Sequence, residues 1–208
     1  MLTPMQKDAL AEILNVNMGL SASLLSEMVN QKIILSVPVV ELKQGAQLNA
    51  ASLKKEDLLG TDKSVMTLVT FGKKFNGNAL VIFPQEKANI LANACLGNDP
   101  AYGFEESLSN EDADVIKEIC NVILNAIVGE FGNLLDVRLE YTAFDMDFSI
   151  DSLDERRIIP PDSHVLVLYT SFFLTMSQVR GMILIVLSAS SFDMLINKID
   201  DMLRDIDV

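Results

Sequence analysis

Two stretches of this sequence carry the same polar residues at the same spacing. "KDALAEILNVNMG" places Asp8, Glu12 and Asn15 in one row, and "ADVIKEICNVILN" places Asp114, Glu118 and Asn121 in another. At 3.6 residues per helical turn, the three members of each row fall within roughly 60° of one another. Leu10, Ile13 and Leu14 take the far side of the first helix, and Ile116, Ile119 and Cys120 take that of the second. Both rows are therefore expected to face outward. One such row is the ordinary solvated face of an amphipathic helix, and a bare Glu-x-x-Asn arises at roughly one position in four hundred at average composition. Two rows, each with an aspartate four residues upstream of the glutamate, ask for a further reason.

The residue types narrow the chemistry. No histidine, nucleophile or cluster of metal ligands shares either face. A carboxamide is neither acid nor base, but it offers an acceptor and a donor in one plane. That suits holding a water molecule in line with a leaving group, work that consists mostly of positioning. The electrophile and any metal must then arrive with the substrate. A glutamate one turn away suits docking against a cationic side chain, where an exposed pair supplies register more than affinity.

The elements that position these rows are also written twice. The first half reads as a helix over residues 5–30 with a bend at "NVNMG", then a strand "KIILSVPVVEL" and a polar loop with one short helix. A hairpin follows, "SVMTLVTFGKKF" and "NALVIFP", with "NGN" at its bend, and then a helix stopped by Gly97. The second half repeats the order. Ser109 or Asn110 caps a helix with an acidic first turn, and "VRLEYTAFDMDF" is a strand. "DSLDERRIIPPDS" is a charged loop, "HVLVLYTSFFLTM" and "GMILIVLS" are paired strands, and "ASSFDMLINKIDDML" closes the unit. Asn15 corresponds to Asn121 and Gly77 to Gly181, with the join at "GNDPAYGFEES". The expectation is one α+β domain over residues 1–208, made of two repeats (about 5–98 and 108–205). Pseudo-twofold symmetry, a largely antiparallel central sheet and long surface helices carrying the polar rows go with it.

Composition excludes several classes. Half of the 208 residues are hydrophobic, enough for a sizeable core, and the formal net charge is −13. That charge opposes nucleic acid and anionic membrane surfaces alike. The amino terminus lacks the pattern of a secretory signal, and the most apolar stretch is interrupted by "SQVR" before it could span a bilayer. Cys95 and Cys120 read as two buried thiols of a cytoplasmic protein; a disulfide between them is open but unforced. One histidine, His164, gives zinc or haem no ligand set and reads as a strand-edge residue. Asp145 and Asp147 alternate along a strand and read as its solvated face. The acidic tail "DDMLRDIDV" is expected to fray, because the helix dipole disfavours carboxylates there.

The rows resemble the signature of the CheC family of chemotaxis phosphatases: Asp or Ser, three residues, Glu, two residues, Asn, twenty-two residues, then Pro. Asp8, Glu12, Asn15 and Pro38 match it throughout; the second copy matches at Asp114, Glu118 and Asn121 but has Phe144 at the proline position. The duplicated organisation and the length fit as well, so the resemblance covers nearly the whole chain. It implies hydrolysis of the aspartyl phosphate on CheY, the response regulator that signals to the flagellar motor. Asn15 and Asn121 would orient the attacking water, and Glu12 and Glu118 would pair with a lysine of the regulator. Asp8 and Asp114 would stand with them on the docking face, and the regulator would hold Mg²⁺, with no cofactor belonging to this chain.

A proline at that position offers no donor and a fixed φ, so it is expected to shape the path beneath the helix rather than touch substrate, leaving both sites competent. Family members of this type also bind the receptor deamidase CheD, whose surface no motif here places. The alternative is a non-catalytic adaptor that docks CheD or the flagellar motor switch, as the CheC-like middle domain of FliM does. Two retained Glu–Asn pairs argue against it, as does the lack of an extension resembling the motor's ring-forming domain. The related CheX phosphatase carries one motif and dimerises; two motifs in one chain favour CheC and a monomer.

Overall fold

The computed structural model describes residues 2–28, 30, 32–36, 39–55, 63–97, 108–174 and 177–206. The first half contains α1 (Pro4–Met28), β1 (Ile34–Leu35), β2 (Val39–Gln44), α2 (Ala50–Lys54), β3 (Ser64–Gly72), β4 (Gly77–Pro84) and α3 (Gln85–Leu96). The second contains α4 (Asn110–Leu134), β5 (Glu140–Tyr141), β6 (Asp145–Asp147), α5 (Ser152–Glu155), β7 (His164–Leu174), β8 (Ser177–Leu187) and α6 (Ala189–Ile206). The order of elements is the same in both. Among the described residues, eight strands form one sheet in the order β1-β7-β8-β4-β3-β5, with β2 also on β7 and β6 also on β3. Every strand pair is antiparallel.

The two hairpins meet at the centre, where β4 pairs with β8 from Gly77↔Leu187 to Ile82↔Met182. The short strands cross over: β1 and β2 of the first half edge the second half's β7, and β5 and β6 of the second edge the first half's β3. Each half thus completes the sheet of the other.

Period-two alternation explains the unbroken apolar runs in the central strands. On β4, Ala79, Val81 and Phe83 join the larger core while Leu80 and Ile82 join the smaller. On β8, Ile183, Ile185 and Leu187 face the first and Met182, Leu184 and Val186 the second. Both faces are covered, so neither needs polar residues. The larger core lies under the four long helices and the smaller under α2, α5 and their loops.

The helix ends follow the local signals. Thr3 and Gln6 exchange reciprocal side chain–backbone hydrogen bonds at the start of α1, at 2.9 and 3.2 Å. Ser109 caps α4, its Oγ accepting from the Asp112 N–H at 3.1 Å while Asp112 Oδ2 accepts from the Ser109 N–H at 3.0 Å. Gly97 ends α3 in the left-handed region, at φ 73°. α1 runs as one continuous helix through "NVNMG". By length and composition α1 would reach across a bilayer, but its Leu10, Leu14, Met18 and Leu25 are part of the core shared with α4.

Several expectations change. Each long edge strand is two short ones, because the register slips by one residue between them. β1 pairs Leu35 with Phe172 and β2 pairs Val39 with Tyr169; β5 pairs Tyr141 with Phe71 and β6 pairs Asp145 with Leu68. A hydroxyl takes over the ladder at each slip: Ser36 Oγ accepts from the Ser171 N–H at 2.8 Å, and Thr142 Oγ1 from the Thr70 N–H at 3.1 Å.

The first hairpin bends at Lys73, whose φ is 133°, and not through Gly77. Gly77 lies within β4, where a Cβ would strike the carbonyl oxygen of Val186. "SQVR" is strand and not turn: Val179 is buried while Gln178 and Arg180 take the exposed face of β8, beyond the reach of β4. The charged loop holds the short helix α5. The closing helix reaches Ile206, because Leu203 packs on the larger core and Arg204 pairs with Asp201 at 3.3 Å. Asp207, Val208 and most of the join lie outside the described residues.

Candidate functional site

The two polar rows sit on α1 and α4, which pack against each other on the same face of the sheet. Leu10 and Leu14 are fully buried beneath the first row, and Ile116, Ile119 and Cys120 beneath the second; Ile13 is half-buried. The outward faces match residue for residue. Asp8 and Glu12 are exposed with Asn15 half-buried, and Asp114 and Glu118 are exposed with Asn121 half-buried. The structure therefore brings each sequence-derived set together on one helical face and the two helices into one layer.

The amides differ in their surroundings. Asn15 has no side-chain hydrogen-bond partner among the described residues. Asn121 Nδ2 approaches Glu118 Oε2 at 3.5 Å, and its Oδ1 accepts from Asn125 Nδ2 at 2.5 Å. Asn17, two residues past Asn15, is a structural residue: it is 7% exposed and its Nδ2 donates to the Ile13 carbonyl at 2.7 Å.

Sequence reasoning missed Asn125, although its position one turn past Asn121 was a usable signal. It also missed the row Val16, Leu20, Leu24 and Met28, which continues α1 at four-residue steps from Glu12 with exposures of 43–65%. The corresponding places on α4 hold Val122, Ala126, Glu130 and Leu134.

Other candidates carry less. A cavity of about 360 Å³ opens between the β3–β4 turn and residues 160–163, away from both rows. Its polar groups are largely satisfied by the protein itself: Thr70 Oγ1 donates to Asn78 Oδ1 at 2.8 Å and Asn78 Nδ2 to the Ile158 carbonyl at 2.9 Å. His164 opens β7 and stacks on Phe192 with ring centroids 4.2 Å apart. Asp145 and Asp147 converge on Arg156, at 2.8 and 4.0 Å. Among the described residues, no three His, Cys, Asp or Glu side chains gather in a way that could hold a metal.

Both cysteines are free thiols, Cys120 buried and Cys95 half-buried. Burial pushes Cys95 up to about 11 and Cys120 up to about 12. The reactive species is the thiolate, so the folded protein is expected to react slowly with a thiol reagent at pH 8. Both sites should be titrated promptly only in denaturant. Rapid reaction of two thiols in the native protein would contradict the packing of α3 and α4.

No family model matches the sequence. The fold resembles FliM in the FliG–FliM complex from H. pylori, with a TM-score of 0.68 at 12% identity over 94% of this chain and 100% of that one. It resembles Thermotoga maritima FliY with a TM-score of 0.74 at 18% identity, over 97% and 98% of the two chains. In sequence the chain is 25% identical over 139 residues to the flagellar motor switch phosphatase FliY of Bacillus subtilis. The chain is thus similar in sequence and in fold to FliY. The aligned stretch is 67% of this chain and 34% of that relative, so the chain spans about a third of the relative's length.

The rows depart from the signature they resemble only at Phe144. Pro38 lies outside the described residues. Phe144 follows the register slip between β5 and β6 and packs half-buried against the larger core. Phe144 thus anchors the segment beside the second half's slip to the core, while α4 presents its row as α1 does.

Proposed function

We propose that this chain is a phosphatase of phosphorylated receiver domains of the CheY type, with Asn15 and Asn121 as the two water-positioning groups. The reading is supported above all by the duplicated outward presentation of Glu and Asn on adjoining helices, with Leu10 and Leu14 buried behind the first row and Ile116, Ile119 and Cys120 behind the second. In it, each helix docks across the receiver's phosphorylation site. Glu12 or Glu118 meets a cationic side chain there, with Asp8 or Asp114 beside it. The carboxamide of Asn15 or Asn121 then holds a water in line with the aspartyl phosphorus, its Oδ1 accepting a hydrogen bond from that water. Mg²⁺ arrives with the receiver and neutralises charge on the phosphoryl oxygens. The likeness to FliY favours a chemotaxis phosphatase placed at the flagellar switch in the cytoplasm. An adaptor without activity is the second reading, and it is supported by the likeness to FliM taken from a complex with FliG.

Charge reversal separates the two. Glu12→Lys together with Glu118→Lys is expected to raise the half-saturating concentration of phosphorylated receiver about tenfold, with maximal turnover changed far less. Pull-down of receiver domains with and without beryllofluoride should show the same loss in the activated form only. An unchanged half-saturation would remove the docking role, and binding blind to beryllofluoride would favour the adaptor.

A further inference from the structure

The polar row on α4 is longer than the one on α1. Asn125 is exposed one turn beyond Asn121, and its Nδ2 donates to Asn121 Oδ1 at 2.5 Å while Asn121 Nδ2 points at Glu118 Oε2 from 3.5 Å. The Asn121 carboxamide is therefore held at both ends. The corresponding place on α1 is Gly19, around which a Cβ would meet nothing within 4 Å, and the Asn15 amide has no partner among the described residues.

The terminal torsion of an asparagine is broad and roughly two-fold, so an unsupported amide exchanges its oxygen and nitrogen readily. Only one of those orientations presents the acceptor to a water in line with phosphorus. A carbonyl oxygen has two lone pairs, so the bond from Asn125 leaves one free for that water.

We propose that Asn125 is a positioning residue of the second site, setting the plane of the Asn121 carboxamide before substrate arrives, and that the first site works without such support. This rests on the hydrolytic reading of Asn15 and Asn121. The two sites then differ in turnover and not in docking, because the Asp and Glu of each row are presented alike.

Two single-site backgrounds test it: Asn15→Ala leaves only the second site and Asn121→Ala only the first. In the Asn15→Ala protein, Asn125→Asp keeps the shape and removes the donor; kcat is expected to fall about fivefold with the half-saturating receiver concentration unchanged. Asn125→Gln, which retains a donor, should restore part of the rate. In the Asn121→Ala protein, Gly19→Asn should raise kcat by a similar factor, a gain that a purely structural role of Asn125 would not produce. The space around Gly19 is open and asparagine is the better helix former, so that variant should fold. Unchanged kcat in both swaps, or a rise on removing the donor, would overturn the inference while leaving the proposed function standing. Full activity in the Asn15→Ala/Asn121→Ala protein would overturn both together.

Discussion

Phosphate release from a phosphorylated receiver is expected to return to the receiver's own rate when Asn15 and Asn121 are both replaced by alanine. The loss should be on the order of 100-fold or more, the scale on which mispositioned reactants cost rate. Each single replacement should leave one helix able to work, so the single variants retain a substantial part of the activity. Loss should fall on kcat, because the glutamates and aspartates proposed to dock the receiver are untouched and the carboxamide is proposed to act in the transition state. Folding should be unharmed. Both asparagines lie on outward faces, and alanine is the better helix former. Thermal unfolding at or above the wild-type midpoint, alongside lost turnover, is the expected pair of results. Wild-type turnover in the double variant would remove both asparagines from the mechanism.

The largest effect on stability is expected at Phe131, which is fully buried on α4. Its ring meets Phe75 edge-on at 6.1 Å, and Phe75 stacks on Phe71 at 5.6 Å. This chain of rings joins the second half's helix to the first half's hairpin, and it is among the contacts that hold α4 to the sheet. Phe131→Ala removes the ring and leaves a cavity bounded by a rigid strand, at a cost of about 3–5 kcal/mol. A domain of this size has roughly 5–15 kcal/mol in total, so the urea midpoint should drop steeply. Activity should follow: with Asn15→Ala in the background, only α4 carries a working amide, and turnover should vanish at urea concentrations the parent tolerates. A midpoint shifted by less than a tenth of its value would mean that the ring cluster does not hold the two halves together.

The adjoining rows also bear on why both halves sit in one chain. Each long helix needs a sheet edge and a core that its own half does not complete, since β1 and β2 finish β7 while β5 and β6 finish β3. The two presented faces are consequences of one shared core, and destabilising either half is expected to weaken both.

Much of this molecule is written in local patterns. The 3.6-residue period put Asp8, Glu12 and Asn15 outside and Leu10 and Leu14 inside, and the copy in α4 repeated the arrangement. Ser109 and Gly97 marked helix ends through hydrogen bonds and a φ that depend on residues within one turn. The apolar runs of β4, β7 and β8 announced paired strands, and their burial on both faces came with the fold. The tertiary structure alone decided what depends on a distant neighbour. Gly77 is a glycine because of Val186 on another hairpin, the edge strands break where their register on β7 and β3 slips, and α6 runs on because Leu203 finds the core. Asymmetry between the two amides belongs to the same class, since it turns on side-chain geometry between Asn121 and Asn125 that spacing permits but does not compel. Periodicity and caps are short-range and so legible in a line of residues; register, close approach and hydrogen-bond pairing are settled only when separate segments meet.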